Sequence, residues 1–146
     1  TTIMEYICDD GLDFETDVLC EAIQMAGIRD EFESEAWTLF APTNEAFDEI
    51  PTEIVNSLMG DDMDDTSGLI DLLAFHSVNG DIVESSDLIC EGRLSMANEE
   101  FSVTICEGER VYQVGLGNPI TDYPEIIMAD IETCDGVIHI INKVML

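Results

Sequence analysis

Two histidines, five cysteines and a crowd of carboxylates are the groups in this chain with chemistry to offer. His76 and His139 are the only candidates for a base near neutral pH. His76 stands among Leu72, Ala74 and Val78, and His139 lies between Val137 and Ile141. Both sit in apolar segments that are expected to be central strands, where a hydrogen-bonded structural histidine is the simpler explanation than a ligand or base. Neither GxSxG, HExxH nor a phosphate-cradling glycine loop occurs. With 33 acidic residues, the proximity of any two carboxylates carries almost no specificity. The expectation is a protein that is not an enzyme and that holds no organic cofactor.

The cysteines are Cys8, Cys20, Cys90, Cys106 and Cys134. They contain no Cys-x-x-Cys pair and are not near either histidine in sequence, which argues against zinc. Cys8 and Cys20 bracket a short acidic loop, and the others cluster in the C-terminal half. Two disulfides with Cys134 left over, in an oxidising compartment, is the expectation; pairing of Cys106 with Cys134 stays open as an alternative. The segment Gly60 to Gly68, GDDMDDTSG, offers Asp61, Asp62, Asp64 and Asp65 as weak calcium candidates. Counting a calcium loop from Asp62 puts Leu73 where the bidentate Glu is required, so a solvated turn is expected there. The same holds for the acidic stretch between Cys8 and Cys20.

Charge sets the outer limits on function. Only Arg29, Arg93, Arg110 and Lys143 oppose the acids, leaving a formal net charge of −29. Such a surface repels phosphate backbones and anionic lipid heads, which argues against nucleic acid and membrane-surface binding. It suits solubility in a salty exterior, or neutralisation of carboxylate clusters by divalent cations such as calcium. No run of about eighteen apolar residues exists to span a bilayer. No basic and then apolar leader opens the chain, so any targeting peptide is expected to be removed or to lie outside it.

Stepping along the 146 residues, 46% of them hydrophobic, gives a single domain over 1–146. Helices are expected from Thr2 to Cys8 and from Thr16 to Met25, the second capped by Thr16 and ended at Gly27. Trp37 to Phe40 is a strand that Ala41-Pro42 stops, and Thr43 stands where the N-cap of the next helix belongs. A helix over Thr52 to Met59, a short helical turn beginning at Ser67 or Gly68, and a two-sided apolar strand over Leu72 to Val78 follow, the last turning at Asn79-Gly80. A hairpin about Asn98-Glu99 should match Met96 with Phe101 and Leu94 with Val103. That register leaves Cys90 one residue short of facing Cys106. Strands at Val111 to Gly115, Ile126 to Ile131 and Val137 to Met145 complete an α+β domain built on a β-sandwich.

Three segments carry a resemblance as well as structure. TLFAPTNEAF (Thr38 to Phe47) resembles the first signature motif of fasciclin-type domains. LLAFHSVNG (Leu72 to Gly80) and DGVIHIINKVML (Asp135 to Leu146) are similar to the family's central Tyr-His segment and second signature, with Phe75 replacing the tyrosine. The resemblance implies a fasciclin-like fold, a twisted β-sandwich or wedge of short strands with N-terminal and flanking helices. It further implies an extracellular or cell-surface adhesion module binding other proteins or matrix polymers, commonly in tandem with further domains. By the same resemblance the receptor-binding positions are Phe75-His76 and Asp130-Ile131, whereas Pro42, Thr43 and His139 are structural by their own local sequence. The alternative from another class is a non-adhesive subunit docked on a larger complex in an organelle lumen or periplasm.

Overall fold

Two strands buried along their whole length, β1 (Trp37–Pro42) and β7 (Gly136–Ile141), form the middle of the computed structural model. The structure describes residues 2–8, 16–27, 36–49, 67–115, 123–134 and 136–145. β1 and β7 run parallel, from Trp37 opposite Gly136 to Pro42 opposite Ile141. Short β2 (Ser77–Asn79) adds antiparallel to β1, and β6 (Ile126–Thr133) antiparallel to β7, giving the order β2-β1-β7-β6. A second, antiparallel sheet contains β3 (Arg93–Ser95), β4 (Phe101–Glu107) and β5 (Arg110–Val114) in that order.

Helices α1 (Ile3–Ile7) and α2 (Asp17–Ala26) cover one face of the four-stranded sheet. Ile3, Met4, Ile7, Leu19 and Ile23 pack there with Trp37, Leu39, Ala41, Ile138 and Ile140. Phe40 and Ile141 instead join Phe75, Val78, Met96 and Met145 in a second cluster. Each such side chain contributes about 1.5–3 kcal/mol on burial. The surface pair Lys143–Glu49 contributes about 1 kcal/mol or less, small beside the packing of these two clusters.

The joint after β1 forms as its residues dictate. Pro42 ends the strand, the Thr43 N–H bonds the Ile141 carbonyl, and Thr43 Oγ1 accepts the Ala46 N–H to cap α3 (Asn44–Asp48). Thr43→Ala should lower the unfolding free energy by about 1 kcal/mol, read from urea denaturation. An unchanged midpoint would remove the cap from the account. Thr16 holds the N-cap position of α2, but its hydroxyl donates to the Ile7 carbonyl instead of capping. Asn44 Oδ1 accepts the Val18 N–H in its place, so α3 helps to finish the start of α2. Gly27 ends α2 in the left-handed conformation, as its position predicts.

Three expectations are corrected. The strand expected over Val137 to Met145 ends at Ile141. Leu72 to Phe75 is not a strand but the end of helix α4 (Ser67–Phe75), and only Ser77–Asn79 is extended, at a sheet edge and not its centre. The run looked two-sided because Leu73 enters one core cluster and Phe75 the other, an arrangement that apolarity alone does not distinguish from a central strand. The hairpin register also differs by one residue: Ser95 faces Phe101, Leu94 faces Ser102 and Arg93 faces Val103. The turn explains it, because the Met96 N–H bonds the Glu100 carbonyl and the Glu99 N–H returns to Met96. A one-residue slip exchanges the faces of a strand. The expected helix over Thr52 to Met59, the aspartates Asp61, Asp62, Asp64 and Asp65, and Asp135 lie outside the described residues.

Candidate functional site

His76 follows α4 directly and is fully enclosed. The His76 N–H bonds the Leu73 carbonyl, three residues back, and the Leu72 carbonyl is met by the His76 ring, with Nδ1 at 2.7 Å. On the other side of the ring, Nε2 accepts the Met145 N–H at 2.9 Å. An N–H donor at Nε2 fixes the proton on Nδ1, so the ring is a neutral tautomer. Burial pushes its pKa down to about 4, with the Leu72 carbonyl pulling the other way. The ring thus ties the end of a helix to the C-terminal segment that follows β7, and Ser77 Oγ adds a bond to the Leu73 carbonyl. Phe75 is buried beside it in the second core cluster.

His139, on β7, has the opposite tautomer. Its Nδ1 accepts the Asp130 N–H at 3.2 Å, and Nε2 donates to the Val83 carbonyl at 2.7 Å. Burial lowers its pKa, against the pull of the Val83 carbonyl and of Asp130. Asp130 itself has φ 58 where the pairing of β6 with β7 is irregular. Burial works against its charge, but the Ser85 hydroxyl and N–H both donate to the carboxylate and hold its pKa below the usual value. Thr38 Oγ1 completes this anchorage by donating to the Asp81 carbonyl and accepting the Val83 N–H. The segment from Asp81 to Ser85 is therefore fastened to the sheet through Thr38, His139 and Asp130.

The four positions suggested by the resemblance do not share one surface. Phe75 and His76 are interior, Asp130 is exposed and latched to Ser85, and Ile131 turns partly inward onto the helix-covered core. The roles of Ser85 and Val83 left no pattern in the sequence, because their partners are distant strands. Cys8 pairs with Cys20 and Cys90 with Cys106, while the exposed Cys134 stays outside both disulfides. The observed hairpin register, carried back by the bonds of Thr104 with Glu91 and Gly92, brings Cys90 opposite Cys106. Among the described residues no three His, Cys, Asp or Glu side chains converge to hold a metal.

A second buried polar group was not foreseen. Under the three-stranded sheet, Thr104 Oγ1 donates to Gln113 Oε1, Gln113 Nε2 donates to Ser102 Oγ, and Ser102 Oγ donates to Met96 Sδ. All three polar side chains are almost wholly inaccessible. Removing one member leaves the others unpaired, whereas removing all does not. Gln113→Leu should cost about 2–3 kcal/mol, and adding Ser102→Ala and Thr104→Val should restore most of it. Chemical denaturation of the single and triple variants checks this; a triple variant weaker than the single one would contradict it.

The three motif segments meet in space. β1 and β7 pair side by side, the Phe40 N–H bonds the His76 carbonyl, and Met145 bonds the His76 ring. The family model for the fasciclin domain matches residues 15–146. The chain is 31% identical to human (Homo sapiens) periostin over 75% of its own length and 12% of periostin. It is 30% identical to protein sll1483 of Synechocystis sp., over 88% of this chain and 65% of that one. It is also 30% identical to pig (Sus scrofa) transforming growth factor-beta-induced protein ig-h3, over 99% of this chain and 19% of that protein. In three dimensions it is similar to a FAS1 domain pair from the insect cell adhesion molecule fasciclin I, with a TM-score of 0.61 at 21% identity, over 86% of this chain and 43% of that one. The chain thus spans less than two thirds of each of these relatives. With three linked motifs at the centre of the sheet and a family match over nearly its whole length, the chain belongs to the fasciclin domain family.

Proposed function

We propose that this domain is an extracellular adhesion module whose acidic surface engages other proteins or matrix polymers, with calcium bridging carboxylates across the contact. The observation that carries this is a net charge of −29 on a fasciclin domain. Fasciclin I, which shares the fold, is a cell adhesion molecule. Two disulfides fit an oxidising exterior, and no helix among the described residues is long and apolar enough to cross a membrane. Charge of one sign favours partners of the opposite sign or a shared divalent cation. The domain acts in this scheme by binding and not by catalysis.

Beads coated with the domain should adhere to source-cell surface or matrix material above an albumin-coated control. Adhesion should fall with a chelator, return with calcium, and weaken in Asp64→Ala. No adhesion above the control would overturn the module assignment. Adhesion that ignores both chelator and calcium would leave adhesion standing and remove the bridging cation.

A further inference from the structure

The three-stranded sheet buries polar side chains on its inward face and leaves large apolar ones partly exposed on the other. Its inward side carries the buried polar Ser102, Thr104 and Gln113, beside half-buried Leu94 and Val111 and exposed Cys106. Its other side carries Phe101, Val103, Ile105 and Glu107 on β4, and the register adds Arg93, Ser95, Tyr112 and Arg110, with Val114 buried at one end beside Val103. Phe101 remains 49% exposed, Val103, Ile105 and Tyr112 are half-buried, and both arginines are exposed. Two of the four cations in a chain with 33 acids therefore stand on this one apolar face. Arg93 lies 5.9 Å from the centroid of the Phe101 ring, and among the described residues no carboxylate forms an ion pair with it. At the other end, Glu107 pairs across the strands with Arg110, which also lies near Glu125.

We propose that this face is a weak self-association surface on which two copies pack β4 against β4. Along β4 the outward side runs from a cation stacked on an aromatic ring, through Val103 and Ile105, to a carboxylate. A two-fold axis lying between the faces and across the strands reverses that order in the second copy. Phe101 and the Arg93 guanidinium then lie over Glu107 of the second copy, and Val103 meets Ile105 of the second copy. The face is thus self-complementary in charge and apolarity, as an isologous contact must be. Three short strands bury no more than about 1,000 Å², which makes the association transient. Long-range repulsion between two strongly acidic bodies opposes it, so the contact strengthens as salt screens that repulsion. It uses an apolar face and stands whether or not the acidic surface binds anything.

Sedimentation equilibrium of the intact, disulfide-bonded chain tests this at about 0.05 M and about 0.5 M salt, where the Debye length falls from about 13 Å to about 4 Å. A monomer–dimer equilibrium tighter at the higher salt is expected. Phe101→Ser should weaken it about tenfold, the loss of one anchoring aromatic. Arg93→Glu and Glu107→Arg should each weaken it alone, because each makes both ends of the contact alike. An equimolar mixture of those two variants should recover the wild-type affinity as a heterodimer. Circular dichroism melts of the variants confirm that each is folded. Wild type that stays monomeric at both salts, Phe101→Ser without effect, or no recovery on mixing would each overturn the proposal. Monomeric protein that instead co-sediments with phosphatidylcholine vesicles would assign the face to lipid and equally overturn it.

Discussion

Gly136→Ala is expected to prevent folding. A Cβ at Gly136 would stand 1.8 Å from the Trp37 carbonyl oxygen and 2.8 Å from its carbon. The obstacle is backbone, in the β1 partner directly across the parallel ladder, so no side-chain rotation relieves it. Separating β1 from β7 at Trp37 would open the most buried pair of strands in the protein, flanked by Leu39 and Ile138. The loss should exceed about 4 kcal/mol, a large fraction of what a domain of this size has. Gly27→Ala is the control. Gly27 has φ 72 but open space around its Cβ position, so only the left-handed conformation is penalised, by about 1 kcal/mol. Soluble expression and thermal melts of the two variants should differ sharply. Equal stability would show that β1 and β7 do not approach as closely at Gly136 as described.

Position decided which parts of this fold were legible in the sequence. Thr43 and Pro42 could be assigned because a cap and a strand stop act within three or four residues. Cys8 with Cys20 was suggested by the short loop they bracket, whereas Cys90 with Cys106 stayed open against Cys106 with Cys134 because the expected hairpin register was one residue off. Alternation shows which residues of β4 share a face, but not which face turns inward. Phe101, Val103 and Ile105 do share a side, and it is the more exposed one. The start of helix α4 was legible, but its continuation through Leu72 to Phe75 was hidden because Leu73 and Phe75 serve two different cores, and burial on both sides of a run is also what a central strand shows. His76 and His139 were foreseeable as structural from their apolar neighbours. Their partners Met145 and Val83 are 69 and 56 residues away, beyond anything local pattern can specify.

Acidification should weaken the protein through His76 before most carboxylates titrate. The Nε2 of His76 already accepts the Met145 N–H, so a second proton there would face a donor with no water to intervene. The folded pKa is pushed down to about 4 from 6.5. The unfolded chain takes the proton first, and the stabilisation is complete above about pH 6.5 and lost progressively as pH falls toward about 4. The loss should reach about 2 kcal/mol by pH 5 and about 3 kcal/mol at the end of that window. His139 is shifted in the same direction and adds to the loss. Asp130, also lowered, begins to contribute only below its unfolded pKa of 3.8. Carboxylate protonation relieves self-repulsion and acts in the opposite sense, but chiefly below about pH 4.5, where those groups titrate. His76→Gln separates the two effects. It should destabilise the protein by about 2–4 kcal/mol at pH 7.5, because the Leu72 carbonyl and the Met145 N–H lose their partner. Its deficit relative to wild type should then shrink between pH 6.5 and 5, as the wild type loses what the variant never had. Urea denaturation of both proteins across that range gives the difference directly, and a deficit constant with pH, or a His76 NMR titration near 6.5, would mean that the ring does not hold the C-terminal segment as a neutral acceptor.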